Sequence, residues 1–206
     1  MTDLQSWCQI MNKLDYNLYI NIFLEQNSKI NLISKKEEEF LFEKHIYDSL
    51  GIKFFFEKYN YMPETLLDIG TGGGFPSVPI ALEYPEIKVT GIDSRGKKIN
   101  AVKEIANRLS LSNLELINDR VENITNKKYD VITSRAVGKT EKLIEYAYPL
   151  LNDKGYIVLY KSKGVNEELD EAKNIIRKYH LKIKPLIEYK LPLKEDYTRV
   201  LVILEK

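Results

Sequence analysis

The sequence predicts an α/β protein whose mostly parallel sheet is covered on both faces, with one antiparallel strand and a helical preface. Three observations predict it. Before residue 60 the apolar residues recur every three or four positions, as a helix with one buried face requires. After Tyr61-Met62-Pro63, short aliphatic and β-branched runs alternate with charged amphipathic segments, the pattern of strands buried on both faces and joined by crossover helices. The last two apolar runs are separated only by residues 188–198, which lack helical periodicity, so the chain returns there as a hairpin and one strand runs antiparallel.

The preface consists of a helix from Leu4 to about Leu24, through Trp7, Ile10, Met11, Leu14, Leu18 and Ile22, and a second from Glu37 to Phe56. A polar loop, Asn27 to Lys36, joins them. Residues 1–60 are therefore expected to form a helical extension packed on a main domain of residues 61–206. Seven strands are expected: Leu66–Ile69, Ile87–Ile92, Leu114–Ile117, Tyr129–Thr133, Tyr156–Tyr160, Ile183–Ile187 and Arg199–Leu204. Pro185 cannot donate to a ladder, which puts the sixth at an edge.

Composition excludes several classes of function. With 206 residues, 44% hydrophobic and 30% charged, the chain has the makeup of a globular domain and not of a disordered one. Net charge is only +1, so any affinity for nucleic acid must come from local patches. One cysteine, Cys8, and two histidines, His45 and His180, are too few for a structural zinc site. No apolar run spans a bilayer, and the N-terminus lacks a basic region followed by an apolar stretch. A cytoplasmic protein without metal is expected.

The first strand runs into Gly70-Thr71-Gly72-Gly73-Gly74-Phe75-Pro76, at the carboxyl end where open α/β sheets bind ligands. A dinucleotide fingerprint requires glycine where Phe75 stands, and a phosphate loop requires a closing Gly-Lys-Ser/Thr that is absent. A ligand without a pyrophosphate fits better, such as S-adenosylmethionine, whose sulfonium is positive. Asp68 has the sign to hold that positive end. Asp93, ending the second strand, is placed to accept from ribose hydroxyls or to cap the next helix. Asn118-Asp119-Arg120-Val121-Glu122 follows the third strand, where adenine contacts are expected.

The acceptor of the methyl group leaves fewer marks. The fourth strand is followed by Ser134-Arg135-Ala136 and not by an Asn-Pro-Pro-Tyr loop, and Cys8 is remote from the strand ends, which disfavours exocyclic amines and pyrimidine C5. A purine N7 carries a lone pair and no proton, so orientation would provide most of the catalysis. Basic residues gather at 94–108 (Arg95, Lys97, Lys98, Lys103, Arg108) and again at 127–163, which favours a phosphodiester substrate.

The run from Leu67 through Gly70-Thr71-Gly72-Gly73-Gly74-Phe75-Pro76-Ser77-Val78-Pro79 to Ala81 resembles the signature of the bacterial 16S ribosomal RNA guanine-N7 methyltransferases, the glucose-inhibited division protein B family. His45-Ile46-Tyr47-Asp48-Ser49-Leu50, Asp93-Ser94, Arg120-Val121-Glu122, Ser134-Arg135-Ala136 and Lys163-Gly164 agree in order. The resemblance implies a Rossmann-like class I methyltransferase fold and an S-adenosylmethionine-dependent enzyme acting on small-subunit ribosomal RNA, with 16S RNA as partner; a monomer is expected, though no residue of the sequence speaks to it. By matching position it implies cofactor contacts at Gly70, Phe75, Val121, Glu122 and Arg135. Strand-end spacing adds Asp93 and Gly72.

Arg135 is the implied catalytic residue, with Arg120 and Lys161 or Lys163 holding RNA. Lys44 stands where arginine is usual and Ser77 where glycine is common. His45 lies on an apolar helix face and is expected to be a buried structural histidine with Asp48 as partner. Two other readings stay open: a methyltransferase for a small molecule or protein, and a ribosome-assembly factor without turnover.

Overall fold

The computed structural model describes residues 16–135, 138–162 and 164–206. The predicted first helix therefore lies partly outside the described residues, with Trp7 and Cys8. Helix α1 runs Asn17–Ile30 and buries Tyr19, Ile22, Phe23, Gln26 and Asn27, the i, i+3, i+4, i+7, i+8 stripe of one helix face. Leu18, expected on that stripe, is 58% exposed, because the aromatic residues beside it face the core. The helix continues past Leu24 into the predicted loop and ends at Asn31, whose backbone is left-handed (φ 52°), a conformation asparagine tolerates.

The predicted second helix is three pieces: α2, Lys35–Glu38; a π-helix, Phe42–Tyr47; and α3, Ile52–Tyr59. Ser34 and Glu37 form a capping box at the start of α2, a signal present in Ser34-Lys-Lys-Glu37 that places helical structure within the expected loop. The π-helix widens the backbone where His45, Ile46 and Tyr47 are buried together.

Beyond it, β1 (Thr65–Ile69), β2 (Lys88–Ile92), β3 (Leu114–Ile117), β4 (Tyr129–Arg135) and β5 (Leu151–Lys161) pair in parallel in the order β3-β2-β1-β4-β5. Intervening helices are α4 (Ser77–Glu83), α5 (Gly96–Arg108) and α6 (Thr140–Ala147), followed by α7 (Val165–Glu171) and α8 (Lys173–Lys178). The expected sixth strand is broken at Pro185 into β6 (Lys182–Ile183) and β7 (Ile187–Lys190). Both pair with the same edge of the antiparallel last strand β8, Thr198–Glu205, which also lies beside β5. The sheet thus has seven positions, and the proline sits at its edge.

Side chains alternate across the sheet. Leu66, Val89, Val131 and Val158 join a core with α1, α3 and α5, while Leu67, Ile69, Ile132, Ile157 and Leu159 join a second core. Register does the positioning. Ile69 pairs with Ile92 and Ser134, and Ile92 pairs with Ile117, so Gly70, Asp93, Asn118 and Arg135 leave the sheet at one edge.

Gly74 closes the turn into α4 at φ 89°, where an added Cβ would lie 2.7 Å from Val78 Cγ2 and 3.0 Å from Val102 Cγ1. Both valines are fully buried. Gly74→Ala is expected to lower stability by about 2–4 kcal/mol from left-handed strain and overpacking, measured as a shifted urea midpoint at unchanged m-value.

Candidate functional site

Two cavities open at the carboxyl edge of the sheet and meet at Gly70 and Arg95, which line both. The first, about 500 Å³, lies between the glycine loop and the helical preface, with Leu32, Glu37, His45, Lys98 and Arg135 on its walls. The second, about 470 Å³, lies over β2 and β3, with Asp93, Asp119, Arg120, Val121, Glu122 and Tyr146. Gly70, Gly72, Phe75, Asp93, Val121, Glu122 and Arg135, all expected to hold the cofactor, line one or the other; Asp68 and Asn118 line neither.

The glycine loop is fixed from beneath. The amides of Gly70 and Thr71 both donate to the Ile92 carbonyl (2.9 and 3.0 Å), and Gly72 N–H donates to Asp93 Oδ2 at 3.0 Å. Asp93 Oδ1 accepts from Arg95 N–H at 2.8 Å and from Arg95 Nε at 3.3 Å. Arg95 Nη2 also reaches Asp93 Oδ2, at 3.5 Å, so the roughly four lone-pair sites of the carboxylate are all engaged. Asp93 binds the loop and turns the chain into α5, and a ligand would gain an acceptor site there by displacing the Arg95 side chain, which is mostly exposed.

Asp68 is placed differently from the expectation. Its carboxyl is fully buried beneath the loop and reaches neither cavity. Thr133 Oγ1 donates to Oδ1 at 3.2 Å, while Oδ2 is buried without a hydrogen bond of standard geometry among the described residues. Burial pushes its pKa up to about 6. Asp68 supports the loop from beneath. Ser77 is also buried, sharing a short hydrogen bond with Thr71 across the loop.

The two cavities differ in charge. The second carries three carboxylates, Asp93, Asp119 and Glu122, against two guanidinium groups, Arg95 and Arg120. Glu122 is held below the usual carboxylate range by a backbone hydrogen bond and by the Tyr146 hydroxyl. The first carries Arg95, Lys98 and Arg135 against one carboxylate, Glu37. Lys98 donates to the Leu32 carbonyl at 3.2 Å, tying the 31–34 loop to α5, and burial lowers its pKa.

Arg135 is only 12% exposed at its side chain. Nη1 donates to the Lys44 carbonyl (3.0 Å) and to Asp48 Oδ2 (3.1 Å), and Nη2 donates to His45 Nδ1 at 2.9 Å. The guanidinium also lies over the Phe75 ring, 5.2 Å from its centre. His45 is buried, as expected, but its partner is Arg135; Asp48 reaches it only through that arginine. Asp48 in turn accepts from Arg199 Nε (2.9 Å) and from the Tyr189 hydroxyl (2.7 Å), contacts with no mark in the sequence.

Of the residues expected to hold RNA, Arg120 stands on the rim of the second cavity. Lys161 is mostly buried and paired with Glu168 at 2.5 Å. Lys163 lies outside the described residues. Several other lysines of the basic stretches are paired locally, Lys127 with Glu115, Lys139 with Glu171 and Lys142 with Glu145, so the charge visible in the sequence is partly cancelled in space.

The sequence matches, over residues 12–191, the family described as GidB: rRNA small subunit methyltransferase G. The chain belongs to this family. It is 36% identical over 197 residues to the ribosomal RNA small subunit methyltransferase G of Lachnoclostridium phytofermentans, spanning 93% of this chain and 80% of that one. It is 37% identical to the protein of the same name from Lactobacillus helveticus, over 92% and 82%. The fold is that of a methyltransferase from Pyrococcus furiosus, with TM-score 0.62 and 22% identity over 77% of this chain and 82% of that one. It is also that of TYW2 from M. jannaschii, solved with AdoMet, at TM-score 0.53 and 20% identity over 69% and 67%. The protein is a Rossmann-like ribosomal RNA methyltransferase.

Burial, and then the facing Arg135, hold the His45 pKa down to about 4, against about 6.5 in an unfolded chain. The unfolded state takes up this proton first, so the stabilisation is complete above pH 6.5 and is lost as pH falls toward 4. His45→Gln is expected to remove that loss: between pH 7 and 4 the native protein should lose up to about 3 kcal/mol more than the variant, read from urea curves at each pH. Asp68 titrates in both proteins and cancels in the comparison.

Proposed function

We propose that the protein transfers the methyl group of S-adenosylmethionine to N7 of one guanine in 16S ribosomal RNA of the small ribosomal subunit, as a cytoplasmic monomer without a metal. The opposite charge of two cavities that meet at Gly70 carries this reading. An acidic cavity repels a diphosphate and suits a sulfonium nucleoside; the basic cavity beside it suits an electron-rich base on a phosphodiester chain.

Asp93, Val121 and Glu122 would hold the adenosyl part, and Gly70, Gly72 and Phe75 the part nearest the glycine loop. When bound, the cofactor supplies an electrophilic methyl group. The chain's own contribution is orientation and exclusion of water, because N7 bears a lone pair and no proton that a base must remove. With its pKa held down to about 4, His45 is a weak proton acceptor, and this reaction needs none. Arg135, at the end of β4, would stand between cofactor and RNA as the catalytic residue. Arg120 would meet the RNA backbone at the rim; Lys161 would have to leave Glu168 to do so, and Lys163 is the remaining candidate. In this division residues 1–60 are the extension, whose residues 31–34, Glu37 and His45 wall the substrate cavity, and 61–206 are the methyltransferase domain.

Small subunits from a strain lacking the gene, incubated with the protein and labelled S-adenosylmethionine, are expected to gain one methyl group in 16S RNA, at a guanine that becomes sensitive to borohydride and aniline cleavage. Label in protein or small molecules, with none in the RNA, overturns the reading. Arg135→Ala is expected to slow this transfer by about 100-fold or more, and a rate equal to that of the unaltered protein removes Arg135 from the reaction.

A further inference from the structure

One wall of the basic cavity presents two polar groups at a spacing that they do not bridge themselves. His45 Nε2 is buried and has no hydrogen-bond partner among the described residues. A carboxylate oxygen, Glu37 Oε1, lies 3.8 Å away, beyond hydrogen-bond range. Both residues line the cavity, beside the glycine loop and Arg135.

The chemical role of each atom is fixed by its neighbours. A guanidinium nitrogen can only donate, so Arg135 Nη2 at 2.9 Å makes Nδ1 of His45 the acceptor. The proton of the neutral imidazole is therefore on Nε2, a donor. Glu37 is oriented through its other oxygen: Oε2 accepts from Ser34 Oγ at 2.8 Å and from Ser34 N–H at 3.3 Å. Despite partial burial, the Ser34 hydrogen bond holds Glu37 below its ordinary pKa, which leaves Oε1 an anionic acceptor. No hydrogen bond to Oε1 exists among the described residues. The wall offers one donor beside one acceptor.

Charge and pattern select the occupant. A carboxylate or phosphate seated against His45 would face Glu37 at close range and be repelled. The Watson–Crick edge of guanine places an accepting O6 beside a donating N1–H, the complement of this wall. Adenine carries a donor where guanine has O6, so it satisfies the pair only when reversed, which takes its N7 to the opposite side. Pyrimidines have no N7.

We propose that Glu37 and His45 read the target guanine, with His45 Nε2–H donating to O6 and Glu37 Oε1 accepting from N1–H. The inference rests on the guanine reading above and deepens it: the two contacts select the base and hold its N7 in one orientation. Both residues come from the helical preface, so that segment sets specificity while the sheet edge holds the cofactor.

The test uses reconstituted small subunits carrying guanine or 2-aminopurine at the mapped position, the analogue keeping N7 but lacking O6 and N1–H. Glu37→Ala is expected to lower kcat/KM for guanine subunits by about 5- to 150-fold, the range for a lost base contact. Calorimetric affinity for S-adenosylhomocysteine should stay within about twofold of the unaltered protein. The unaltered protein should lose a comparable factor on 2-aminopurine, and the Glu37→Ala, His45→Phe double variant should lose nothing further. A merely structural role predicts instead that the losses from variant and analogue multiply, or that cofactor affinity falls in parallel, and either overturns the assignment. So does a Glu37→Ala rate equal to that of the unaltered protein. An unaltered protein inert toward guanine subunits overturns the reaction itself, and the pair with it.

Discussion

The arrangement of the site depends on one buried carboxylate. Asp48, only 2% exposed, accepts from Arg135 at the end of β4, from Arg199 on β8 and from Tyr189 on β7. It follows directly on the π-helix that presents His45. The next residue extends the junction: Ser49 donates to the His45 carbonyl, and its own carbonyl accepts from the Tyr160 hydroxyl on β5, both at 2.6 Å. A buried ion pair adds little net stability over an apolar replacement, but removing one member leaves the others uncompensated at a cost of about 3–5 kcal/mol. The network therefore specifies where the helical preface meets the sheet. Two guanidinium groups against one carboxylate also leave an excess positive charge, and Arg135 delivers it to the wall of the first cavity.

A second constraint is strand register. Because Ile69, Ile92, Ile117 and Ser134 lie level, the next residue of each strand emerges at a common edge without any further device. Asp93 shows how several demands meet there. Its carboxylate holds Gly72, turns the chain toward α5 and pairs with the exposed Arg95 side chain. Of the two roles weighed for it from sequence, helix entry is the one seen: one oxygen serves the loop and the other the turn.

The strands and the glycine loop were legible in the sequence because both faces of the sheet are buried, and a short, continuous aliphatic run bounded by turn residues fits little besides a strand covered on both sides. Pro185 was legible for the same kind of reason, since a missing amide hydrogen restricts where a strand can lie. The helical preface was less so. Leu18 shares the periodicity of a buried face but points to solvent, because helical spacing alone does not say which of two adjacent apolar stripes is inward when aromatic residues occupy the other. Asp68 has the sign and sequence position of a ligand contact, and only the burial of the loop above it reveals a supporting role. The His45–Arg135 contact spans 90 residues and left no local trace. The capping box of Ser34 and Glu37 did leave one, a Ser-x-x-Glu spacing that orients the carboxylate facing His45.

The central claim is that the acidic and basic cavities divide cofactor from substrate at Gly70. A crystal structure of the protein with S-adenosylhomocysteine tests it most directly. The account predicts the adenosyl group over β2 and β3 against Asp93, Val121 and Glu122, with its sulfur toward Gly70 and the space between Glu37, His45 and Arg135 left open. An adenosyl group seated between Lys98, His45 and Arg135 would contradict it.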